Sequence, residues 1–423
     1  MSRIFIRKVD SAKDNKKTGG NQLENLTVEE ALEQLLSHTE VIQETETVSL
    51  LKSKGRILAE DIKAELDNPP FDRSPIDGYA CKAEDLAGAS LSTPVCLKVT
   101  REVDAGDYSE ETVKKGEAVR IMTGAAVPAG CDCCVRQEDT DYGEDTVQIY
   151  KEHKQWENYC FRGDDFKKGT VMLQKGTRID FIETGILASM GVAEVTVRRR
   201  PRIAILTTGD EVIVPGNPLK PGKIYDCNQS LLAARMMDFG VELSVADWVQ
   251  DRPENMAEKI REIADSVDMI ITTGAVSVGK KDIMHESIRI LNAERVFWHI
   301  KMKPGMPTLF SVYKNTSIIS LSGNPFGAAV TVDVLIRPML HKMTGDPVLA
   351  VVRKKCRLNN EFMKKIKGRR YVRAFTDGES VTIPSGLHSN GVLSTMAGCN
   401  CLIEMEEGKV GTHTGEMAEV FLL

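Results

Sequence analysis

No apolar run in this sequence approaches the roughly 20 residues that span a bilayer, so no membrane partner is expected. The first residues carry Arg3, Arg7 and Lys8 but neither an apolar core nor a cleavage pattern, and no secretory signal is read there. Positive charge is not in excess. With 55 Lys+Arg against 61 Asp+Glu the net charge is -6, which argues against general nucleic-acid binding. A local basic cluster could still hold a small anion. The 10 cysteines are scattered and form no disulfide framework. Cys131 and Cys134 have metal-type spacing but no second pair beside them, and Cys399 and Cys401 are only two apart. Structural zinc usually takes about four ligands, so the cysteines read as reduced, partly buried residues of a cytoplasmic protein. Neither the Walker phosphate loop nor the dinucleotide fingerprint occurs.

At 423 residues the chain is too long for one ordinary core, and several domains are expected. The polar stretch 11–22 reads as a flexible arm. Thr27 with Glu30 is a capping box before helically spaced Ala31, Leu32, Leu35 and Leu36, which predicts a helix from about residue 28. The segment 68–80, N-P-P-F-D-R-S-P-I-D-G-Y-A, is stiff and irregular, and could present Asp72, Ser74 and Asp77 to a ligand. Short strands are predicted at 95–103, 117–122, 133–137 and 146–150, and a helix at 181–190. After the basic run 198–202 the texture changes. The continuous apolar run 203–206 fits a strand buried on both faces. Strands alternate with helices from there to a long final helix at 325–343, which predicts an α/β unit with a largely parallel sheet. After residue 346, short alternating runs broken by glycines predict a small all-β module.

The stretch 268–282, D-M-I-I-T-T-G-A-V-S-V-G-K-K-D, reads as strand, glycine loop and helix start. Backbone N–H groups in such a loop can hold an anion, and Asp282 could offer a carboxylate to a bridging cation. Three further loops end strands of the same unit: 207–211 with Glu211, 250–252 with Asp251, and 320–325 with Ser322, Gly323, Asn324 and Pro325. In an open α/β sheet these ends line the ligand crevice. Each acid alone is an ordinary helix cap, but together with a glycine loop they suit a magnesium-bridged phosphate. Lys301 and Lys303, on the proline-stiffened segment 301–307, add positive charge.

These motifs resemble the molybdopterin molybdenumtransferases, a family that includes the gephyrin E domain. The resemblance runs from about Thr27 to the C-terminus. It rests on S-P-I-D-G-Y-A at 74–80, R-I-M-T-G-A at 120–125, T-G-D-E-V at 208–212, V-S-V-G at 276–279 with Asp282, and M-K-P-G at 302–305. It implies a multidomain α/β plus β fold. A flexible N-terminal arm would occupy 1–24, an extended helical and β linker domain 25–67 and 162–200, and a β-rich insert 68–161. An α/β molybdopterin-binding domain with a mostly parallel sheet would occupy 201–345, and a C-terminal β-barrel 346–423. The implied reaction inserts molybdate into adenylated molybdopterin with magnesium present and releases AMP. The implied assembly is a homodimer whose site joins the α/β domain of one copy to the insert of the other. Molybdopterin adenylyltransferase and molybdoenzyme delivery proteins are the implied partners.

Carried over residue by residue, Asp77, Glu211, Asp282 and Lys303 are the expected catalytic positions, with Asp282 and Glu211 at the magnesium. Thr123, Asp251, Gly274, Ser277, Gly279, Pro304, Gly305, Ser322, Gly323, Asn324, Pro325 and Arg373 are the expected substrate-binding positions. The chain departs from the family's usual pattern at Ala275, His299, Met306, Ser322 and Asn390. Met306 stands where many members carry lysine, which removes a point charge from the anion site. Ala275 and Met306 leave open a non-catalytic carrier of the same fold, and the shared α/β domain type leaves open an adenylyltransferase, against which the insert and the terminal barrel argue.

Overall fold

The computed structural model describes residues 23–274, 276, 283–364 and 367–423. Two compact units divide the chain. Residues 23–44 belong with Arg198–Leu423, and Thr45–Val197 form the other unit. No helix among the described residues is long and apolar enough to cross a membrane.

The larger unit is built on a seven-stranded sheet. Its strands are β1 (Leu23–Leu26), β2 (Arg202–Thr207), β3 (Glu242–Trp248), β4 (Met269–Thr273), β5 (Glu294–Ile300), β6 (Leu309–Tyr313) and β7 (Thr316–Leu321). Their order across the sheet is β1-β5-β6-β7-β4-β2-β3, parallel except where β6 pairs with β5 and β7. The helices are α1 (Val28–Ser37), α2 (Cys227–Asp238), α3 (Pro253–Ile263), α4 (Ile283–Leu291), α5 (Pro325–Thr331) and α6 (Arg337–Thr344).

The apolar run in β2 shows why this sheet is covered on both sides. Successive side chains of a strand point to opposite faces. Ile203 and Ile205 join one core with Leu232 and Met236 of α2 and with the α1 and α5–α6 helices. Ala204 and Leu206 join the opposite core with Met256 and Ile260 of α3 and Met284 and Ile288 of α4. Fully burying each of these larger side chains contributes roughly 1.5–3 kcal/mol. The capping box at Thr27 is formed, with Thr27 N donating to Glu30 Oε2 at 2.8 Å and Glu30 N donating to Thr27 Oγ1 at 3.2 Å. Residues 23–44 thus enter this unit through an edge strand and a helix that covers one face. The long final helix is continuous but passes through one π-turn, Val332–Ile336, between α5 and α6.

The C-terminal strands close on themselves. Arg369–Thr376, Ser380–Thr382, Arg353–Leu358, Met417–Leu422 and Cys401–Met405 pair in that order, and Cys401–Met405 returns to Arg369–Thr376. This is the expected small β-barrel. The two-residue strand Met302–Lys303 adds to its edge in parallel, placing Lys303 opposite Arg370.

In the smaller unit, a five-stranded sheet orders Cys133–Arg136, Gly78–Cys81, Glu117–Ile121, Val95–Val103 and Thr146–Ile149. Tyr79, Cys81, Cys133 and Val135 pack on one face, and Ala80, Cys134, Val119 and Ile121 on the other. The cysteines here are core residues, and burial pushes the Cys134 thiol up to about 12. A separate cluster of Leu58, Leu173, Ile179, Leu187, Val195 and Val197 organises the rest of this unit around helix Phe181–Ser189.

Candidate functional site

The chain leaves β2 through α2 on one face of the sheet and leaves β4 through α4 on the other. Neighbouring parallel strands with connections on opposite faces open a crevice at their carboxyl ends. The loops expected there do converge. Gly274 has φ +98°, and a Cβ on it would lie 2.1 Å from the Thr208 carbonyl oxygen, so backbone meets backbone across the crevice. Gly323 lies against Gly274, where its Cβ would sit 3.3 Å from the Gly274 Cα. Thr273 Oγ1 donates to the Ser322 carbonyl at 3.1 Å, and Ser322 Oγ accepts from Asn324 N at 3.3 Å.

The acids sit on the rim. Thr208 Oγ1 donates to Asp251 Oδ1 at 3.2 Å. Glu211 folds back over Gly209, whose φ is +142° and whose added Cβ would meet Glu211 Oε2 at 2.9 Å. Ser277, Gly279 and Asp282 lie outside the described residues, as does Ala275. Two residues not singled out from sequence tie the crevice together. Asn228 donates to the Gly323 carbonyl at 2.8 Å and to Thr273 Oγ1 at 3.1 Å. Buried Asp226 accepts from Thr207 Oγ1 at 2.6 Å and caps α2. The Asp226–Asn228 pairing at a helix start was a signal available in the sequence.

Beside the crevice, the segment carrying Lys303, Pro304 and Gly305 is clamped on both sides. Gly305 has φ +100°, and an added Cβ would lie 2.5 Å from Thr331 Oγ1 of α5. Ile300 N donates to the Met306 carbonyl at 3.0 Å, closing the excursion. Lys303 is exposed and lines a basic pocket of about 720 Å³ with Asn324, Lys364, Arg370, His388 and Asn390. Lys303, Pro304, Gly305, Met306, Ser322 and Asn324 also line an adjoining groove of about 580 Å³. Lys364, Arg370 and His388 come from barrel strands and loops that carry no motif, which is why sequence reasoning passed over them. Burial holds the His388 imidazole below its ordinary range.

Arg373 lies behind this pocket and is fully buried. Its guanidinium stands 3.6 Å from the centroid of Phe326, and burial lowers its pKa. It donates to the Ser389 carbonyl at 3.0 Å, to Thr395 Oγ1 at 2.6 Å and to the Val392 carbonyl. Arg373 therefore spends both terminal nitrogens on the loop that carries His388 and Asn390, while its buried Nε meets no partner among the described residues.

Asp77 and Thr123 meet within the smaller unit. Gly78, directly after Asp77, cannot carry a side chain, because a Cβ would lie 1.8 Å from the Val135 carbonyl oxygen. Strand pairing sets Gly78 opposite Ile121 and so brings Thr123 to Asp77. Asp77 Oδ1 accepts from both Thr123 Oγ1 and Thr123 N at 2.7 Å. These bonds, the hydroxyl's first, hold the Asp77 carboxyl below its usual range. A depressed carboxyl keeps its charge to lower pH, and the stabilisation it brings is present above the unfolded pKa and lost as pH falls through the folded one. Thr123→Val keeps the backbone bond and removes the hydroxyl. The Asp77 titration, followed by carboxyl NMR, is expected to move to higher pH. An unmoved titration would refute the assignment of its cause.

Comparison with known proteins agrees with this architecture. Residues 26–191 match the MoeA N-terminal region (domain I and II), 204–342 the probable molybdopterin binding domain, and 355–423 the MoeA C-terminal region (domain IV). A molybdopterin molybdenumtransferase of Staphylococcus epidermidis is 33% identical over 401 residues, covering 94% of this chain and 95% of the relative. Another from Staphylococcus aureus strain COL is 33% identical over 400 residues, with the same two coverages of 94% and 95%. A crystal structure of the molybdopterin biosynthesis MoeA protein from Pyrococcus horikoshii superimposes with a TM-score of 0.81 at 31% identity, covering 94% of this chain and 99% of that one. With relatives matched along nearly their whole length and all three domain models in order, the chain belongs to the molybdopterin molybdenumtransferase family.

Proposed function

We propose that the protein is a transferase of molybdenum cofactor biosynthesis that inserts molybdate into adenylated molybdopterin and releases AMP. The observation that carries this reading is the adjacency, within one unit, of a switch-point crevice rimmed by Glu211 and Asp251 and a basic pocket built on the Lys303–Arg370 pairing. The crevice suits the adenylated phosphates. The basic pocket suits the molybdate dianion, with Lys303, Lys364 and Arg370 supplying charge and Asn324 and Asn390 supplying hydrogen bonds. Arg373 acts from behind, by holding the loop that presents Asn390.

Magnesium fits the donor chemistry. Glu211 and Asp251 offer hard carboxylate oxygens, and magnesium usually takes one or two such groups with phosphate oxygens and water completing its shell. Asp282 and Glu211 are the residues we assign to it. When bound it would neutralise phosphate charge. Thr208 orients Asp251, and Gly274 lets the Thr208 and Gly323 backbones close together at the crevice. We further infer a cytoplasmic homodimer in which Asp77 and Thr123 of one copy complete the other copy's site. Exposed Phe181 and Ile182 on one helix support a self-association surface.

The test is AMP release from adenylated molybdopterin, with and without molybdate, repeated after EDTA. Molybdate-dependent release that EDTA abolishes is expected. Tight binding of the pterin without release would instead favour the carrier reading, to which half-exposed Met306 in the groove wall lends support.

A further inference from the structure

The smaller unit contains a cavity of about 840 Å³ whose chemistry is opposite to that of the basic pocket. Its lining includes Asp77, Arg136, Asp139, His153, Glu157 and Asn158. The centre of interest is His153. Its side chain is 1% exposed, with Nδ1 3.2 Å from Glu157 Oε1 and Nε2 3.9 Å from Asp139 Oδ2. Neither ring nitrogen reaches full hydrogen-bond geometry, although Nδ1 lies within ion-pair distance of Glu157. Buried polar groups without partners are rare in native proteins and call for an explanation. The two flanking carboxylates are each about a third exposed, at 34% and 35%. Glu157 Oε2 is occupied by Lys154 N at 2.9 Å, whereas the Asp139 carboxylate accepts no hydrogen bond among the described residues. Arg136, on the same wall, is exposed and forms no ion pair among the described residues.

This lining selects among the parts of the substrate, so the inference rests on the transferase reading above. Its four acids, Asp77, Glu138, Asp139 and Glu157, outnumber the cations Arg136 and Lys151 and disfavour the phosphates and the dithiolene. The two flat rings remain. Adenine presents one N–H donor beside a ring-nitrogen acceptor, and a carboxylate repels that acceptor. The 2-amino-4-oxo edge of a pterin presents two adjacent N–H donors, which match the two oxygens of one carboxylate, and then a carbonyl that accepts from a guanidinium. We propose that this cavity is the subsite for the pterin ring, with Asp139 taking the 2-amino and N3–H donors and Arg136 the 4-oxo group. His153 fills the space between Asp139 and Glu157, with one ring nitrogen facing each acid.

The experiment titrates the full chain with pterin (2-amino-4-oxopteridine), read by its own fluorescence, against lumazine, in which an oxo group replaces the 2-amino group, and against AMP. Pterin is expected to bind at least tenfold more tightly than lumazine, and AMP is expected not to displace it. Asp139→Asn, which turns one acceptor oxygen into a donor, is expected to weaken pterin binding at least tenfold. In turnover the same variant should raise KM for adenylated molybdopterin about tenfold with kcat within twofold. Glu157→Gln provides a second variant, and thermal melting establishes that each is folded. Wild-type pterin affinity in both folded variants, or displacement of pterin by AMP, would overturn the proposal. Loss of molybdate-dependent AMP release by the unmodified protein would sink the transferase reading, while pterin binding sensitive to Asp139→Asn would still stand.

Discussion

Gly274→Ala is expected to lose about 100-fold or more in AMP release and to destabilise the α/β sheet by roughly 2–4 kcal/mol. Two effects combine. The residue sits at φ +98°, which disfavours any side chain, and the added methyl would lie 2.1 Å from the Thr208 carbonyl oxygen. That contact is backbone on backbone, so no rotamer change relieves it. β2 and β4 would have to part at their carboxyl ends, carrying Thr208 away from Gly323. Shifts of about 1 Å in such a site cost on the order of 100-fold in rate. Gly240→Ala is the control. Gly240 has φ +71° with nothing within 4 Å, so it bears the conformational cost alone and should retain activity. Hydrogen exchange across 203–208 and 269–273, read beside turnover, separates the two variants. Normal exchange and near-normal rate in Gly274→Ala would show that the crevice tolerates a methyl and that its close approach is unimportant.

Arg373→Ala is expected to loosen the barrel loop and weaken molybdate binding at least tenfold. The guanidinium is fully buried and satisfies two loop carbonyls and a threonine hydroxyl. Its removal strands acceptors, each costing about 1–3 kcal/mol when left unsatisfied, and ends the contact with Phe326. Because the same loop supplies His388 and Asn390 to the basic pocket, stability and oxyanion affinity should fall together. Arg373→Lys should recover little, since a point charge cannot serve carbonyls that a planar fork reaches at once. Exchange at 388–396 and molybdate titration by calorimetry check both halves. Unchanged values in Arg373→Ala would remove Arg373 from any account of the pocket.

Much of this was legible from residue order. The run 203–206 fitted a strand covered on both faces, and it alternates between two cores as such a strand must. Thr27 and Glu30 marked α1, whereas Gly274 and Gly323 were legible as parts of ligand loops but not as the point where two backbones touch. β1 was not legible. It is four residues long and only Leu26 is buried, so pairing with β5 rather than side-chain pattern makes it a strand. The π-turn at 332–336 was hidden because its residues keep a helix-like apolar pattern while burying Asp333 against Arg235. The basic pocket was half visible. Lys303 lay in a motif, but Arg370 reaches it only through strand register in a barrel whose order cannot be read from spacing.

β1 also has a meaning for synthesis on the ribosome. Leu26 pairs with Ile300, so its partner strand leaves the tunnel roughly 270 residues later, a delay of tens of seconds at about 5–20 residues per second. Thr45–Val197, with its own internal cores, can fold during that interval. The nascent α/β unit must meanwhile keep a short strand and an amphipathic helix in reserve, and the last edge of its sheet is laid by the first residues of it to be made.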